Sequence, residues 1–137
     1  MGTAGRANVE FVAVPGDGRL PAIADDSAHL VFSYITLQHV PTREAQLLYL
    51  QEASRVLAPG GRLAIQVRGR GPAATLLDWS GHLYHLARGR STMSRAWRGA
   101  RLTDTEIIQT CAGSGVVAGL ARSDRRHRWV VGHKPKP

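Results

Sequence analysis

Cysteine is almost absent from this chain, and its scarcity removes several kinds of protein at once. The single Cys111 can form no internal disulfide and sits in no zinc-ligand spacing. A reducing compartment and a small core side chain are the expected reading. No apolar run is long enough to cross a bilayer. The opening Met1-Gly2-Thr3-Ala4-Gly5-Arg6 lacks both the apolar stretch of a secretion signal and the Ser or Thr of a myristoylation motif. A cytoplasmic protein without membrane contact follows. Aromatics are few, at 6%, yet a hydrophobic fraction of 43% and a charged fraction of 20% are ordinary for a folded soluble domain and exclude disorder. The 137 residues suit a single domain with one core.

Acidic residues are scarce in one half only. Residues 1–67 sum to −1 and residues 68–137 to +9, which makes the net charge of +8 a property of the second half. Such a cluster raises binding to nucleic acid or an anionic substrate as a possibility. It is the weaker reading. No RNA-binding motif with interleaved aromatics and no zinc spacing accompanies the charge, and 16 of the 18 cations are Arg, a bias that genome composition also produces.

The stretch His29-Leu30-Val31-Phe32-Ser33-Tyr34 opens as the β-branched, aromatic and aliphatic run of a strand buried on both faces, and turns polar through Gln38 and His39 before Pro41. In open α/β sheets ligands gather outside the carboxyl ends of strands, which singles out Ser33, Tyr34, Gln38 and His39. Ahead of it, residues 8–14 alternate as a short strand and stop at Pro15-Gly16-Asp17-Gly18. After Pro41, Thr42 caps a helix with Glu44 in its first turn, Leu47, Leu50, Ala53 and Leu57 on one face, and Arg55 near its end. Ala58-Pro59-Gly60-Gly61 ends that helix and residues 62–68 form the next buried strand, a right-handed crossover.

Residues 69–100 carry helix-compatible pieces broken by glycine, with Trp79, Trp97 and many arginines. His82 and His85 fall there and lack a third metal ligand, so no metal site is expected. Thr103 and Glu106 form a capping box for a helix over residues 104–112. Strands over residues 116–122 and 128–133, joined by Ser123-Asp124-Arg125-Arg126, suit an antiparallel hairpin.

Together these residues resemble the class I S-adenosylmethionine-dependent methyltransferases. The resemblance rests on Asn8-Val9-Glu10-Phe11-Val12, Gly16-Asp17-Gly18-Arg19-Leu20-Pro21, Asp26-Ser27, Leu37-Gln38-His39-Val40 and Arg55-Val56-Leu57-Ala58-Pro59-Gly60-Gly61-Arg62-Leu63, and it covers nearly the whole chain. It implies an α/β fold: a truncated Rossmann-like methyltransferase sheet, mostly parallel, with a C-terminal antiparallel hairpin. The family's sheet order is 3-2-1-4-5-7-6. The cofactor implied is S-adenosylmethionine, with Asp17 at the adenine amino group, Gly18 and Leu20 lining the adenine pocket, Ser33 and Tyr34 beside the methionine portion, and His39 bracing the loop or facing a small-molecule methyl acceptor.

The family's glycine-rich strand-loop-helix and ribose-holding acid have no match before Asn8, so the sequence reads as starting at the third strand. Residues 9–14 are then expected to move in beside residues 30–34, since a strand left unpaired strands its backbone groups. The alternative is an exposed apolar edge open to self-association or to a partner chain that completes the sheet. Methyl transfer by this chain alone is expected to be impaired.

Overall fold

The structure is a computed structural model and describes residues 8–69, 87, 99–122 and 127–137. Its centre is β2 (Leu57–Arg68), which pairs in parallel with β1 (Ala28–Ser33) on one side and antiparallel with β4 (His127–His133) on the other. β3 (Val117–Arg122) pairs antiparallel with the far side of β4, giving the order β1-β2-β4-β3. β1, β2 and β3 therefore run one way and β4 alone is reversed. The order is that of the last four strands, 4-5-7-6, that the resemblance implies.

Among the described residues two helices cover one face. α1 (Arg43–Val56) links β1 to β2, and its amino end is capped by Thr42, whose hydroxyl accepts the Ala45 amide at 3.3 Å. α2 (Asp104–Gly113) opens on a complete capping box: the Thr103 hydroxyl accepts the Glu106 amide at 3.2 Å while Glu106 Oε2 accepts the Thr103 amide at 2.7 Å. The period-two alternation of β2 turns Leu63, Ile65 and Val67 toward these helices, where they meet Leu50 and Ala53 of α1 and Ile107 and Cys111 of α2. Each such aliphatic side chain contributes about 1.5–3 kcal/mol on burial. Cys111 is the core residue expected, and burial pushes its thiol pKa up.

Three expectations need correction. Residues 9–14 form no strand: Val9, Phe11, Val12 and Val14 are exposed, and they are not paired with β1. A six-residue run has no sheet of its own, and without a partner strand its alternation has nothing to bury against. Among the described residues β1 is consequently an edge strand covered on one face, not two. Leu30 and Phe32 are 63% and 64% exposed on the face opposite the helices. Finally, β2 begins at Leu57 instead of Arg62, because Ala28 pairs with Leu57 and the Gly60 amide reaches the Lys134 carbonyl at 2.8 Å, drawing the Pro-Gly-Gly segment into the sheet. Trp79, His82, His85, Trp97 and the 123–126 connection lie outside the described residues.

Candidate functional site

The first half of α1 is a platform for two loops. Gly18 is buried against it, with φ +107 and so little clearance that an added Cβ would sit 2.7 Å from the Ala45 carbonyl and 2.8 Å from Leu48 Cβ. Only glycine meets both conditions. One residue along from Ala45, the fully buried Gln46 Nε2 lies 2.9 Å from the carbonyls of Leu37 and Val40 and 3.2 Å from that of Ala100. Residues Ala45 to Leu48 thus fasten both the 16–20 loop and the turn that follows β1. Of the sequence-predicted residues, Gly18 packs on α1 and Leu20 is bonded to it, whereas Asp17 bonds within its own loop, Tyr34 stacks on β4, and His39 lies in the turn whose Leu37 and Val40 carbonyls Gln46 holds.

Asp17 is exposed, and its Oδ1 accepts the Arg19 amide at 2.9 Å, an Asx turn that fixes the carboxylate within its loop. Its Oδ2 lies 3.8 Å from Arg19 Nε. At the end of β1, Ser33 is half-buried and Tyr34 exposed, the Tyr34 ring stacking on Trp129 of β4 at 5.8 Å between centroids and 7° between planes. Ile35, next along, has φ 65, a conformation that a β-branched residue adopts only under strain. Leu37–His39 form a single 3-10 turn, with Gln38 Nε2 3.2 Å from His39 Nε2.

A second set of contacts holds the loop that runs from the 16–20 segment to β1. Glu52 Oε2 accepts the Leu20 amide at 2.9 Å, and Arg55 donates to the carbonyls of Leu20 and Ile23, both at 3.0 Å, and to the carboxylate of Asp25. Arg55 also makes a two-point pair with Glu52, at 2.7 and 2.8 Å. The Arg55 hydrogen bond holds the Glu52 carboxyl below its ordinary range, and Glu52 and Asp25 in turn raise the pKa of Arg55. The amides of Asp26 and Ser27 then take the Arg55 and Val56 carbonyls at 3.1 and 2.9 Å, closing the end of α1 from outside. Lys134 Nζ adds a 2.7 Å ion pair to Asp26. A cavity of about 290 Å³ behind this network is lined by Asp25, Asp26, Gln51, Glu52, Arg55, Ser114 and Lys134 and holds none of the predicted site residues.

Gln46 and Glu52 were not singled out by the sequence, and Arg55 stood out only as a helix-end cation. Gln46 sits four residues before Leu50 on the apolar stripe, where a polar side chain is conspicuous. Glu52 and Arg55 are an i, i+3 pair of opposite charge. Among the described residues no cluster of metal-ligating side chains occurs, and none of the helices there is long and apolar enough to cross a membrane.

Residues 3–65 match the family model of a methyltransferase domain. No curated protein sequence matches the chain. Among solved structures the chain is similar to a S-adenosylmethionine-dependent methyltransferase from Methanosarcina mazei, at 14% identity and TM-score 0.58, covering 93% of this chain and 68% of that one. It is similar to the 1,6-didemethyltoxoflavin N1-methyltransferase of Burkholderia thailandensis, solved with bound 1,6-didemethyltoxoflavin and S-adenosylhomocysteine, at 17% identity and TM-score 0.57, over 92% and 51%. An O-methyltransferase family protein from Burkholderia thailandensis matches at 17% identity and TM-score 0.54, over 80% and 31%. The chain spans about a third to two thirds of the length of these structures.

Proposed function

We propose, from a chain that has the class I methyltransferase fold and carries methyltransferase-domain sequence over its first half, that it takes part in S-adenosylmethionine-dependent methyl transfer to a small-molecule acceptor. The observation that carries this reading is the common fastening of Gly18 in the 16–20 loop and of the 37–40 turn that follows β1 to Ala45, Gln46 and Leu48 of α1. The residues present fit the adenosine end of the cofactor. Asp17 offers a carboxylate already fixed by its own turn, suited to accept a hydrogen bond from an adenine amino group, and Gly18 and Leu20 supply backbone and apolar surface beside it.

Ser33 and Tyr34 would hold the methionine portion at the carboxyl end of β1. S-adenosylmethionine, when bound, supplies a methyl group on a sulfonium, open to in-line attack by the acceptor. The chain's own part is alignment: holding donor and acceptor at reacting distance accounts for much of what such an enzyme provides. His39, exposed at the mouth of this edge with Gln38 beside its Nε2, is the candidate to take a proton from a weakly nucleophilic acceptor. The glycine-rich loop and the ribose-holding acid that the resemblance implies have no counterpart in the 137 residues, and cofactor binding by this chain alone is therefore proposed to be weak. The open edge of β1 and its exposed Leu30 and Phe32 favour a second element of the reading, pairing with another chain or a second copy along that edge.

Amide NMR spectra of the chain titrated with S-adenosylhomocysteine test the proposal. Shifts at Asp17, Gly18, Leu20, Ser33 and Tyr34 that saturate only above micromolar ligand are expected. No shift at either group sinks the reading, and micromolar affinity refutes weak binding.

A further inference from the structure

We infer that Glu52 and Arg55 are positioning residues for the cofactor's adenine end, acting through the loop they clamp. The inference rests on the proposal that Asp17, Gly18 and Leu20 read adenine. Leu20 is the only one of the three whose backbone is gripped at both polar groups: its amide by Glu52 and its carbonyl by Arg55. The same guanidinium reaches the Ile23 carbonyl and the Asp25 carboxylate, so that one side chain on α1 sets three points along the loop. Upstream, Gly18 is fixed by contact with Ala45 and Leu48. Asp17 lies immediately before it and closes its turn on the Arg19 amide, between the two anchors.

The geometry has the form of a loop held at Gly18 by shape and at Leu20 by charge, with the adenine-facing carboxylate set by both. Lysine at position 55 keeps the charge but loses the planar fork that serves Glu52 and the backbone carbonyls together. Neither Glu52 nor Arg55 needs to touch the cofactor. Their effect is on where Asp17 and Leu20 stand when it arrives, and their substitution acts on affinity at the adenine end before it acts on the fold.

The test compares wild type, Arg55→Lys and Glu52→Gln in the full chain by amide exchange and by adenosine titration followed at the Asp17 and Gly18 amides. Thr103→Ala, which loosens the start of α2 and removes none of the contacts of Glu52 or Arg55, serves as a control for general destabilisation. In both clamp variants the Leu20 amide is expected to exchange at least about tenfold faster and adenosine affinity to fall about tenfold, the size of one lost charge-assisted hydrogen bond, while Thr103→Ala leaves affinity unchanged. Unchanged exchange at Leu20 overturns the clamp. Faster exchange with wild-type affinity overturns the positioning role and leaves the adenine reading standing. A wild-type chain with no adenosine shift at Asp17 overturns both. Should Arg55→Lys fail to fold, Glu52→Gln decides.

Discussion

β1 and β2 both place apolar side chains at alternate positions, and those side chains meet different fates. Leu63, Ile65 and Val67 of β2 are at most 2% exposed, whereas Leu30 and Phe32 of β1 stand largely in solvent. The difference is position in the sheet. Among the described residues β2 has a strand on each side and the helices on its face, whereas β1 has a strand on one side, and its Leu30 and Phe32 lie on the face opposite the helices. Apolar character marks a residue as able to be buried, and only a neighbour buries it.

The comparison breaks most sharply under truncation of matched side chains. Ile65→Ala is expected to cost about 2–5 kcal/mol in urea unfolding, and Phe32→Ala, at a largely exposed ring stacked on Trp129, no more than about 1 kcal/mol. Equal losses would mean that β1 is as enclosed as β2.

The covered face also depends on a titrating group. Glu106 is held down to a pKa of about 2, first by the Thr103 amide and then by Arg43. A depressed carboxyl stabilises the fold above its unfolded pKa and loses that contribution as pH falls toward the folded value. Stability should therefore decline from about pH 4.5 to about pH 2, and Glu106→Gln should flatten that decline. An acid-unfolding curve of unchanged slope in the variant would contradict the assignment.

The smallest stability effect is expected at the open edge. Phe32→Lys should change stability by about 0.5 kcal/mol or less and yet reduce association in sedimentation velocity, since edge lysine discourages strand pairing. Association that persists undiminished would take the edge out of consideration.

What the sequence showed best was local. Thr42, and Thr103 with Glu106, place the starts of α1 and α2 because a cap needs only the residues of one turn. The hairpin of β3 and β4 was visible for the same reason, and Asp17 to Leu20 and Ser33 to His39 were singled out through the resemblance of their motifs. Residues 9–14 misled because alternation predicts a strand only if another strand is present to receive it. β2 starts early because Lys134, some seventy residues away, pairs with Gly60 and Gly61. Gln46 and Glu52 escaped notice because what they do lies in the backbone of other segments.

The feet of the stretch between β2 and α2 stand side by side. Gly69 bridges to Leu102, the Leu102 amide takes the Arg68 carbonyl at 3.1 Å, and the Ala100 amide takes that of Val40 at 3.2 Å. Gly99 completes the seam, because a Cβ there would fall 1.9 Å from the Gln38 carbonyl. A chain that departs and returns at one welded point is a socket. Sequence of other lengths can be grafted between residues 69 and 99 at a closure cost that rises by only about 0.6 kcal/mol per doubling. The graft meets the body of the protein beside Gln38 and His39. For engineering, that makes the seam a fixed junction on the body of the protein, with the sheet and α1 on its near side.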